Sequence, residues 1–598
     1  MTSDPAHLAP STDPWEPFLA AIAAGLSAAA STAGVSVEPA ALLGQLNLSP
    51  GPQGEVAWPV HRLAAGARRA PPELAAAIVA AFPTTSGVTQ ATATGAYVNV
   101  RLDAASLVQR TLETVFRWGE AYGHRPPEGP RACVEHTSAN ATGPFHIGRV
   151  RNAIIGDTFA RTLRASGVPV TTQYYVDDMG RQAAMITWIW SMDRSRWPVP
   201  IREAVEGKEA PGEKPDAHRG RPYPAVSAYL KEHPEAQAEV AEIVHQLESG
   251  GAPPRHHELT QSILDGMIAS LARLGISFDE FVWESSFITD GSVDRVLERL
   301  RAAPHAVREE NDALAIETAS YGLPKESTRV VVQRGNGTSL YVTRDIAYHL
   351  AKFARFARVI DVLGQDHQLH ARTLDALLAE IGESRRPEFI IYQDITVPDG
   401  GRMSTRGGSA VWLDELLKEA VERARREVIA RRTDLSEADV ERIAEAVATS
   451  AVRYHIVRVA PEKPVVFRWE DALSFEGRSG PFVQYSYARA ASLLRKAEGI
   501  APPYAYDPAL LADPEEVALV RVVASLPRAV EYAARSTHVQ GIAAYAHDLA
   551  DQFNRFYHAV PVLKSGAERA SRVALVAAVR QTLGNSLDLL GVTRLESM

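Results

Sequence analysis

Val134-Glu135-His136-Thr137-Ser138-Ala139-Asn140-Ala141-Thr142-Gly143-Pro144-Phe145-His146-Ile147-Gly148-Arg149 is the stretch that decides how this chain is read. Arg131 to Glu135 reads as a short strand, a loop of hydroxyls, glycine and proline follows, and a helix is predicted from His146 to Ala165. Ile155, Phe159 and Leu163 share one i+4 row of that helix, and Gly167 stops it. A strand that runs through a glycine loop into a helix N-terminus gathers unpaired N–H groups and the positive end of the helix dipole, an arrangement that holds phosphate. His146 opens the helix, and Gly148 leaves room for a flat base near the backbone. A His-x-Gly at a helix start is also a common structural feature, so this spacing alone leaves both readings open.

Working outward, Val168 to Val176 is predicted as a second strand, giving one βαβ unit. A helix around Asp345 to Phe356 and strands at Arg358 to Leu363 and Glu388 to Asp394 come later. Alternating strands and helices predict a doubly wound parallel sheet. Between the two sets, residues 194–258 are polar and Pro-rich, with Gly207-Lys208-Glu209-Ala210-Pro211-Gly212-Glu213-Lys214-Pro215, and predict an insertion with a loosely ordered part. Beyond about 412 the pattern is helical, interrupted near Pro461 to Trp469, and it closes in an amphipathic helix at Arg572 to Leu590. Residues 1 to about 125 read as a small α+β unit. It has an alanine-rich helix at Phe18 to Ala30, Pro/Gly punctuation at Ser49 to Pro52, a helical stretch at Arg62 to Ala81 and a period-two strand at Ala96 to Leu102. His124 to Pro130 is the linker.

The chain has 598 residues, more than one hydrophobic core uses, and its 23% charged and 46% hydrophobic composition excludes overall disorder. With 63 basic against 72 acidic residues the net charge is −9, which argues against nonspecific coating of nucleic acid or membrane but permits a local basic face. A single cysteine, Cys133, excludes an intramolecular disulfide and suits a reducing cytosol. Phe18 to Ala30 is too short to span a bilayer and lacks a basic segment before it, so a soluble cytoplasmic protein without membrane contact is expected.

The quoted string resembles the HIGH signature of class I aminoacyl-tRNA synthetases, in particular the arginyl-tRNA synthetase family. The matching residues are Val134-Glu135, Ser138-Ala139-Asn140, Pro144 to Gly148, Arg151-Asn152 and Ile154 to Asp157. Tyr174 to Gln182 is similar to the block that follows in archaeal-type members. The likeness continues in order through Gly337 to Asp345, Gly364 to His367, Arg402 to Arg406, Phe482 to Arg489, Phe553 to Tyr557 and Leu587 to Gly591. It implies an α/β multidomain fold of three parts. These are an N-terminal α+β tRNA-body domain at 1–125, a Rossmann-like class I catalytic domain at 126–470 with its insertion at about 194–330, and an all-α anticodon-binding bundle at 471–598.

The implied reaction activates L-arginine with ATP to arginyl-adenylate and transfers the arginyl group to the terminal ribose of tRNA(Arg). Charge builds on a five-coordinate phosphorus in the first step, so fixed donors and cations aimed there lower the barrier. The resemblance assigns catalysis to His146, Gly148, Arg149, Arg402, Met403 and Ser404, and ATP binding to Gly143, Pro144, His146, Gly148, Asn152, Gly364, Asp366, Arg402 and Met403. Mg2+ is expected with ATP, and no dedicated carboxylate cage for a metal is visible.

A planar cation with five donors needs carboxylates placed for bidentate pairing. By resemblance Glu135, Ser138, Asn140, Asp178, Gln182, Tyr341, Asp345 and His367 form the arginine pocket. Taken alone, Glu135 also suits a strand end and Asp345 a helix N-cap. For tRNA the resemblance points to Tyr97, Asn99, Gln484, Tyr485, Arg489, Arg555, Tyr557 and the terminal Met598. Tyr487, Arg495 and Lys496 punctuate the same amphipathic helix, as stacking and base-edge recognition require.

The chain departs from the family at Gly400 to Gly408. Arg402 stands where the KMSKS signature has its first lysine and Thr405 where it has the second. Some relatives compensate with a lysine just before the HIGH block, but Gly143 occupies that position here. The altered loop keeps two other readings open: a paralogue serving specialised metabolism or inhibitor resistance, and a non-catalytic tRNA-binding protein. A monomer is expected.

Overall fold

A computed structural model of the chain describes residues 12–51, 53–208, 212–324, 328–396 and 412–598. At its centre lies a five-stranded, all-parallel sheet. Its order in space is Glu388–Tyr392, Arg358–Gly364, Ala132–Glu135, Val170–Val176 and Glu280–Trp283. The chain starts in the middle strand, winds outward through 170–176 and 280–283, then crosses to the other side and winds outward again. This reversal puts a topological switch point between Ala132–Glu135 and Arg358–Gly364, where doubly wound sheets open a crevice at the carboxyl ends of their strands. The strands are apolar because helices cover both faces: Val134, Ile360, Val362 and Ile390 are all buried.

The helix after the first strand runs Ile147–Ala165 with His146 as its N-cap, one residue later than predicted. The later helix runs Tyr341–Arg355, starting a turn earlier than predicted. Its N-cap is Leu340, so Asp345 lies one turn inside the helix. The strand Glu280–Trp283 carries no clear sequence signal, being short, with Glu280 and Trp283 at its ends.

The insertion is more helical than its proline content suggests, and residues 209–211 of the stretch expected to be loosely ordered lie outside the described residues. Its described residues form the helices Val199–Val205, Pro215–Gly220, Tyr223–Glu232, Pro234–Glu248 and His256–Arg273. Four of these carry proline in the first turn, where the missing N–H and fixed φ favour a helix start. The prolines therefore punctuate helices and do not prevent them. Trp188, Trp197, Ile201, Val226, Leu230 and Val240 give the region its own core.

In the N-terminal unit a four-stranded antiparallel sheet, ordered 47–51, 54–59, 97–102 and 88–94, packs on the helix Glu16–Thr32, whose buried face includes Leu19, Ile22 and Leu26. The single helix predicted at Arg62 to Ala81 is two, His61–Ala67 and Pro71–Ala80, because Arg68 turns left-handed at φ 49° and prolines follow. The C-terminal part is helical. Its last helix, Arg569–Leu589, is buried on nearly every side, which corrects the predicted amphipathic tail. It packs against Gly480–Lys496, Gln540–Ala559, Ala104–Trp118 and Ile147–Ala165, so little of it is left to solvent beyond Asp588 and part of Arg580.

Candidate functional site

Immediately after Glu135 the backbone does something unusual. Thr137 and Ser138 both take positive φ, 73° and 38°, strained values for a β-branched and a small polar residue. The kink is held on both sides. The Thr137 N–H donates to Asn152 Oδ1 at 2.7 Å, and the Tyr175 N–H donates to Ser138 Oγ at 3.1 Å. It folds Ser138 back over the strand end, where its hydroxyl donates to Glu135 Oε1 at 2.9 Å.

This kink forms one wall of a cavity of about 190 Å³ at the switch point, bounded also by the helix Tyr341–Arg355 and the segment Gly364 to Leu374. Of the residues expected around arginine, the structure brings Glu135, Ser138, Asn140, Tyr341, Asp345 and His367 to this cavity. Asp178 and Gln182 do not line it. Asp178 is spent elsewhere: its two oxygens accept from Ser285 N–H at 3.0 Å and Ser285 Oγ at 2.6 Å. Gln182 is exposed and accepts from Asn140 Nδ2 at 2.9 Å. The neighbouring Asp177 faces the cavity instead.

Four residues unremarked in the sequence tie this site together. Lys352 Nζ lies 2.5 Å from Glu135 Oε2 and 2.7 Å from Asp361 Oδ1. His349 Nε2 lies 2.7 Å from Asp361 Oδ2, and its Nδ1 lies 3.0 Å from Asp345 Oδ1. His370 Nε2 reaches Asp345 Oδ2 at 2.7 Å. The signal that could have found them is spacing: Asp345, His349 and Lys352 fall at i, i+4 and i+7 of one helix, a polar stripe on a buried element. Asp361 interrupts the apolar run Val359-Ile360-Asp361-Val362. Burial and the adjacent Asp361 push Glu135 above the ordinary carboxylate range, against Lys352. Despite burial, His349 and His370 hold Asp345 well below it, and Lys352 and His349 hold Asp361 low.

Beside this cavity sits the start of the helix Ile147–Ala165. His146 Nδ1 accepts the Gly148 N–H at 2.9 Å, which leaves Nε2 as the protonated nitrogen. Burial and the adjacent Arg149 lower its pKa, so the ring is a neutral donor at pH 7. Its ring meets Trp412 edge-on at 5.9 Å. A side chain at 148 would come within 2.9 Å of that imidazole, so the glycine makes room for the His146 cap. Arg149 faces Asp366 at 3.9 Å. A Cβ at Gly364 would lie 2.3 Å from Asp366 Oδ1, so a side chain there would push that exposed carboxylate aside.

Asn152 is engaged at both amide ends, accepting from Thr137 and donating to the Val362 carbonyl at 2.8 Å. It therefore pins the two strands of the switch point to each other. Gly143 lies against Gly220 of the insertion, and Pro144 follows in the same half-buried loop. Arg402, Met403, Ser404 and Thr405 lie outside the described residues.

A second cavity, about 280 Å³, is lined by Tyr485, Arg489, Arg495, Lys496, Tyr557 and Met598, among others. Arg489 lies over the Tyr485 ring at 4.7 Å and the Tyr557 ring at 4.8 Å. Arg432, not anticipated, donates to the Met598 carbonyl at 2.8 Å. Gln484 is not part of it: it is fully buried, donating to the Thr593 carbonyl at 2.8 Å. Arg555 pairs on the surface with Asp551 at 2.8 Å, and Tyr487 is buried with its hydroxyl on Glu596 at 2.8 Å. In the N-terminal unit Tyr97 is 45% exposed, whereas Asn99 is buried.

Comparison with known proteins adds independent findings. Residues 111–469 match the family model "tRNA synthetases class I (R), catalytic domain", and residues 483–598 match the "DALR anticodon binding domain". An arginine–tRNA ligase of Methanocella arvoryzae is 41% identical over 541 residues, 90% of this chain and 92% of that protein. One from Methanothermobacter thermautotrophicus is 42% identical over 576 residues, 96% of this chain and 98% of its own length. The solved arginyl-tRNA synthetase of Thermus thermophilus superposes with a TM-score of 0.80 at 29% identity, covering 97% of this chain and 99% of that one.

Proposed function

Because the chain belongs to the arginyl-tRNA synthetase family and is thereby a class I arginine–tRNA ligase, we propose that its switch-point cleft binds arginine through Glu135 and Asp345 and ATP across the start of the helix Ile147–Ala165. The observation that carries this reading is the convergence of Glu135, Ser138, Tyr341, Asp345 and His367 on one cavity beside the His146 helix start. Glu135 and Asp345 come from different elements, and two fixed carboxylates suit the forked donors of a guanidinium.

In the activation step an oxygen of the arginine carboxylate attacks the α-phosphorus, and pyrophosphate leaves. His146 donates from Nε2 to the oxygens on which charge develops, and the N–H groups of the first helical turn add to the same field. Arg149 supplies a cation nearby. Arg402, with Met403 and Ser404, completes the charge on the leaving group. Mg2+ reaches the site with the triphosphate, whose oxygens suit a hard cation. Among the described residues no group of three His, Cys, Asp or Glu side chains is arranged to hold a metal ion. In the transfer step a ribose hydroxyl of the tRNA end attacks the adenylate carbonyl, and AMP departs.

The cavity of Tyr485, Arg489, Tyr557 and Met598 is the proposed contact for the anticodon of tRNA(Arg), with planar groups for stacking and Arg495 and Lys496 for phosphate. Exposed Tyr97 is proposed to meet the tRNA body, with buried Asn99 behind that surface, and the three units to divide the work at 1–125, 126–470 and 471–598. No described helix is long and apolar enough to cross a membrane, and we propose a cytoplasmic monomer.

Charging of tRNA with labelled arginine, alongside ATP–pyrophosphate exchange with tRNA present, tests the whole reading. Robust charging is expected. Absence of charging, while a relative from Methanothermobacter charges in the same assay, overturns it.

A further inference from the structure

The register of the central sheet sets two acids side by side. Glu135 and Asp361 are direct partners on neighbouring parallel strands, and Asp361 and Glu135 both face Lys352, which is only 1% exposed. Like charges so placed repel, and in a buried site one of them would take up a proton unless a cation intervened. Lys352 intervenes, its ammonium also lying 4.0 Å from the centre of the Tyr348 ring.

His349 does the same for the next pair. Its Nε2 faces an Asp361 oxygen at 2.7 Å. Its Nδ1 faces both the Asp345 carbonyl at 2.8 Å and Asp345 Oδ1 at 3.0 Å. Every neighbour of both ring nitrogens is an acceptor. A neutral imidazole would turn a lone pair toward a carboxylate, so this geometry requires the imidazolium. Glu135, Lys352, Asp361, His349 and Asp345 thus alternate in sign along one buried ladder.

The other groups facing the ladder are Cys133 and Tyr348, His370 at Asp345, and Asp375 on the helix Gln368–Glu380. Asp177, Arg149 and His367 face the cavity itself. Lys352 and His349 do not line the cavity in the same way. His349 and Asp361 line it directly, whereas Lys352 lies behind it against Glu135 and Asp361.

Resting on the reading that this cavity takes arginine, we propose that Lys352 and His349 are specificity-determining positioning residues. They are two fixed buried cations that offset two of three carboxylates, so the ladder keeps one net negative charge and selects a monocationic guanidinium over a neutral isostere of the same shape. Fixed cations also exclude mobile protons. Without them a carboxyl would be protonated and could present its O–H to the oxygen of a urea group. L-Citrulline, in which urea replaces guanidinium, is therefore the competitor the ladder rejects, because a site built for one set of donors leaves its acceptors unpaired with the other.

The test uses the full chain with tRNA in ATP–pyrophosphate exchange, reading the KM for arginine, the KM for ATP and the inhibition constant for citrulline between about pH 6 and 9. Lys352→Met and His349→Gln are each expected to raise the arginine KM at least about tenfold, to leave the ATP KM within about twofold, and to narrow discrimination against citrulline. They should also introduce a pH dependence absent from the unaltered protein.

The double variant Lys352→Met/Asp361→Asn removes one charge of each sign. It restores the single net negative charge, removes the carboxylate that would otherwise face Glu135 with no cation between them, and is expected to recover most of the arginine affinity lost in Lys352→Met. If the double variant is no better than Lys352→Met, or if folded single variants keep the arginine KM and the citrulline discrimination unchanged, the ladder is structural only and the proposal is overturned. Failure of the unaltered protein to use arginine at all would instead overturn the reading on which it rests.

Discussion

Arg453 and Asp157 form an ion pair sealed inside the molecule, Nη2 to Oδ2 at 2.5 Å, with the arginine side chain fully buried. Three parts of the fold meet there. Asp157 belongs to the helix Ile147–Ala165 that His146 caps. Arg453 also donates to the Leu274 carbonyl at 2.7 Å, at the end of the insertion, and to the Leu590 carbonyl at 2.6 Å, after the last helix. Gly591 is needed at this crossing, since its φ is +65° and a Cβ would lie 2.3 Å from Arg453 Nη2.

Removing one partner of such a pair leaves an uncompensated buried charge, at about 3–5 kcal/mol. Arg453→Met is expected to lower the free energy of unfolding by that order in a denaturant titration. Asp157→Asn should lower it at least as much, because it leaves buried Arg453 without a carboxylate, whereas in Arg453→Met the Asp157 carboxylate keeps Arg161 as a partner. If Arg453→Met unfolds at the same denaturant concentration as the unaltered chain, the crossing contributes nothing to stability.

Asp345→Asn keeps the shape of the proposed arginine pocket and removes one charge. Loss of a charged hydrogen-bond partner amounts to about 2 kcal/mol, which corresponds to roughly a 30-fold rise in the KM for arginine. The KM for ATP should hardly move, because Asp345 pairs with His349 and His370 and not with the residues of the His146 helix start. Equal losses for both substrates in ATP–pyrophosphate exchange would remove Asp345 from the pocket.

The strand, loop and helix around Val134 to Arg149 were legible because local chemistry specifies them: a glycine and proline loop, a histidine at the helix start and a helical row of apolar residues; the Thr137–Ser138 kink was not, because Asn152 and Tyr175 hold it from other elements. The ladder was not legible, because its pairs are tertiary. Lys352 and Glu135 are 217 positions apart, and only the sheet register brings Asp361 beside Glu135. Asp178 looked as suitable as Asp177 in the sequence. The strand Val170–Val176 ends at that point, and one step of backbone decides which aspartate faces the cavity and which faces Ser285. Prolines misled in the insertion because the same residue that breaks a helix interior begins a helix well.

Gly220→Ala tests how the insertion touches the loop before His146, the proposed ATP contact. A Cβ at 220 would lie 2.3 Å from Gly143 Cα and 2.8 Å from the Thr142 carbonyl, and backbone cannot swing aside as a side chain can. The loop before His146 must shift, so the KM for ATP should rise about tenfold, with the arginine KM changing much less. Gly66→Ala, at a helical position with open space around it, is the control and should leave both values unchanged.

Arg489 sits between two tyrosine rings with Asn554 holding its guanidinium. Arg489→Ala is expected to raise the KM for tRNA about tenfold, in line with about 1–3 kcal/mol for a stacked contact. Arg489→Lys should not restore it, because an ammonium lacks the plane that lies between the rings. The arginine KM at saturating tRNA serves as the internal reference. A lysine variant with normal tRNA affinity would reduce the role of Arg489 to charge alone.

Acid should weaken the protein through histidines buried in the neutral form. His136 lies beneath the Thr137–Ser138 kink, its ring 4.7 Å from Phe278 and its Nε2 buried without a hydrogen-bond partner among the described residues. Burial drives its pKa down from 6.5 to about 4, against the pull of Asp157. Burial does the same to His455, also to about 4. Both folded values lie below the unfolded one, so between about pH 6.5 and 4 the unfolded chain binds protons that the folded chain does not. Stability is therefore present above that window and falls as pH drops through it, by about 1.4 kcal/mol per pH unit for each histidine. Over the window this comes to about 3 kcal/mol apiece. Urea titrations at a series of pH values should show this slope. His136→Gln should flatten it by one proton's worth while lowering stability at pH 7 only modestly, since the Thr137 hydroxyl keeps a polar neighbour. An unchanged slope in that variant would mean that His136 titrates normally in the folded protein and that the kink does not shelter it from protonation.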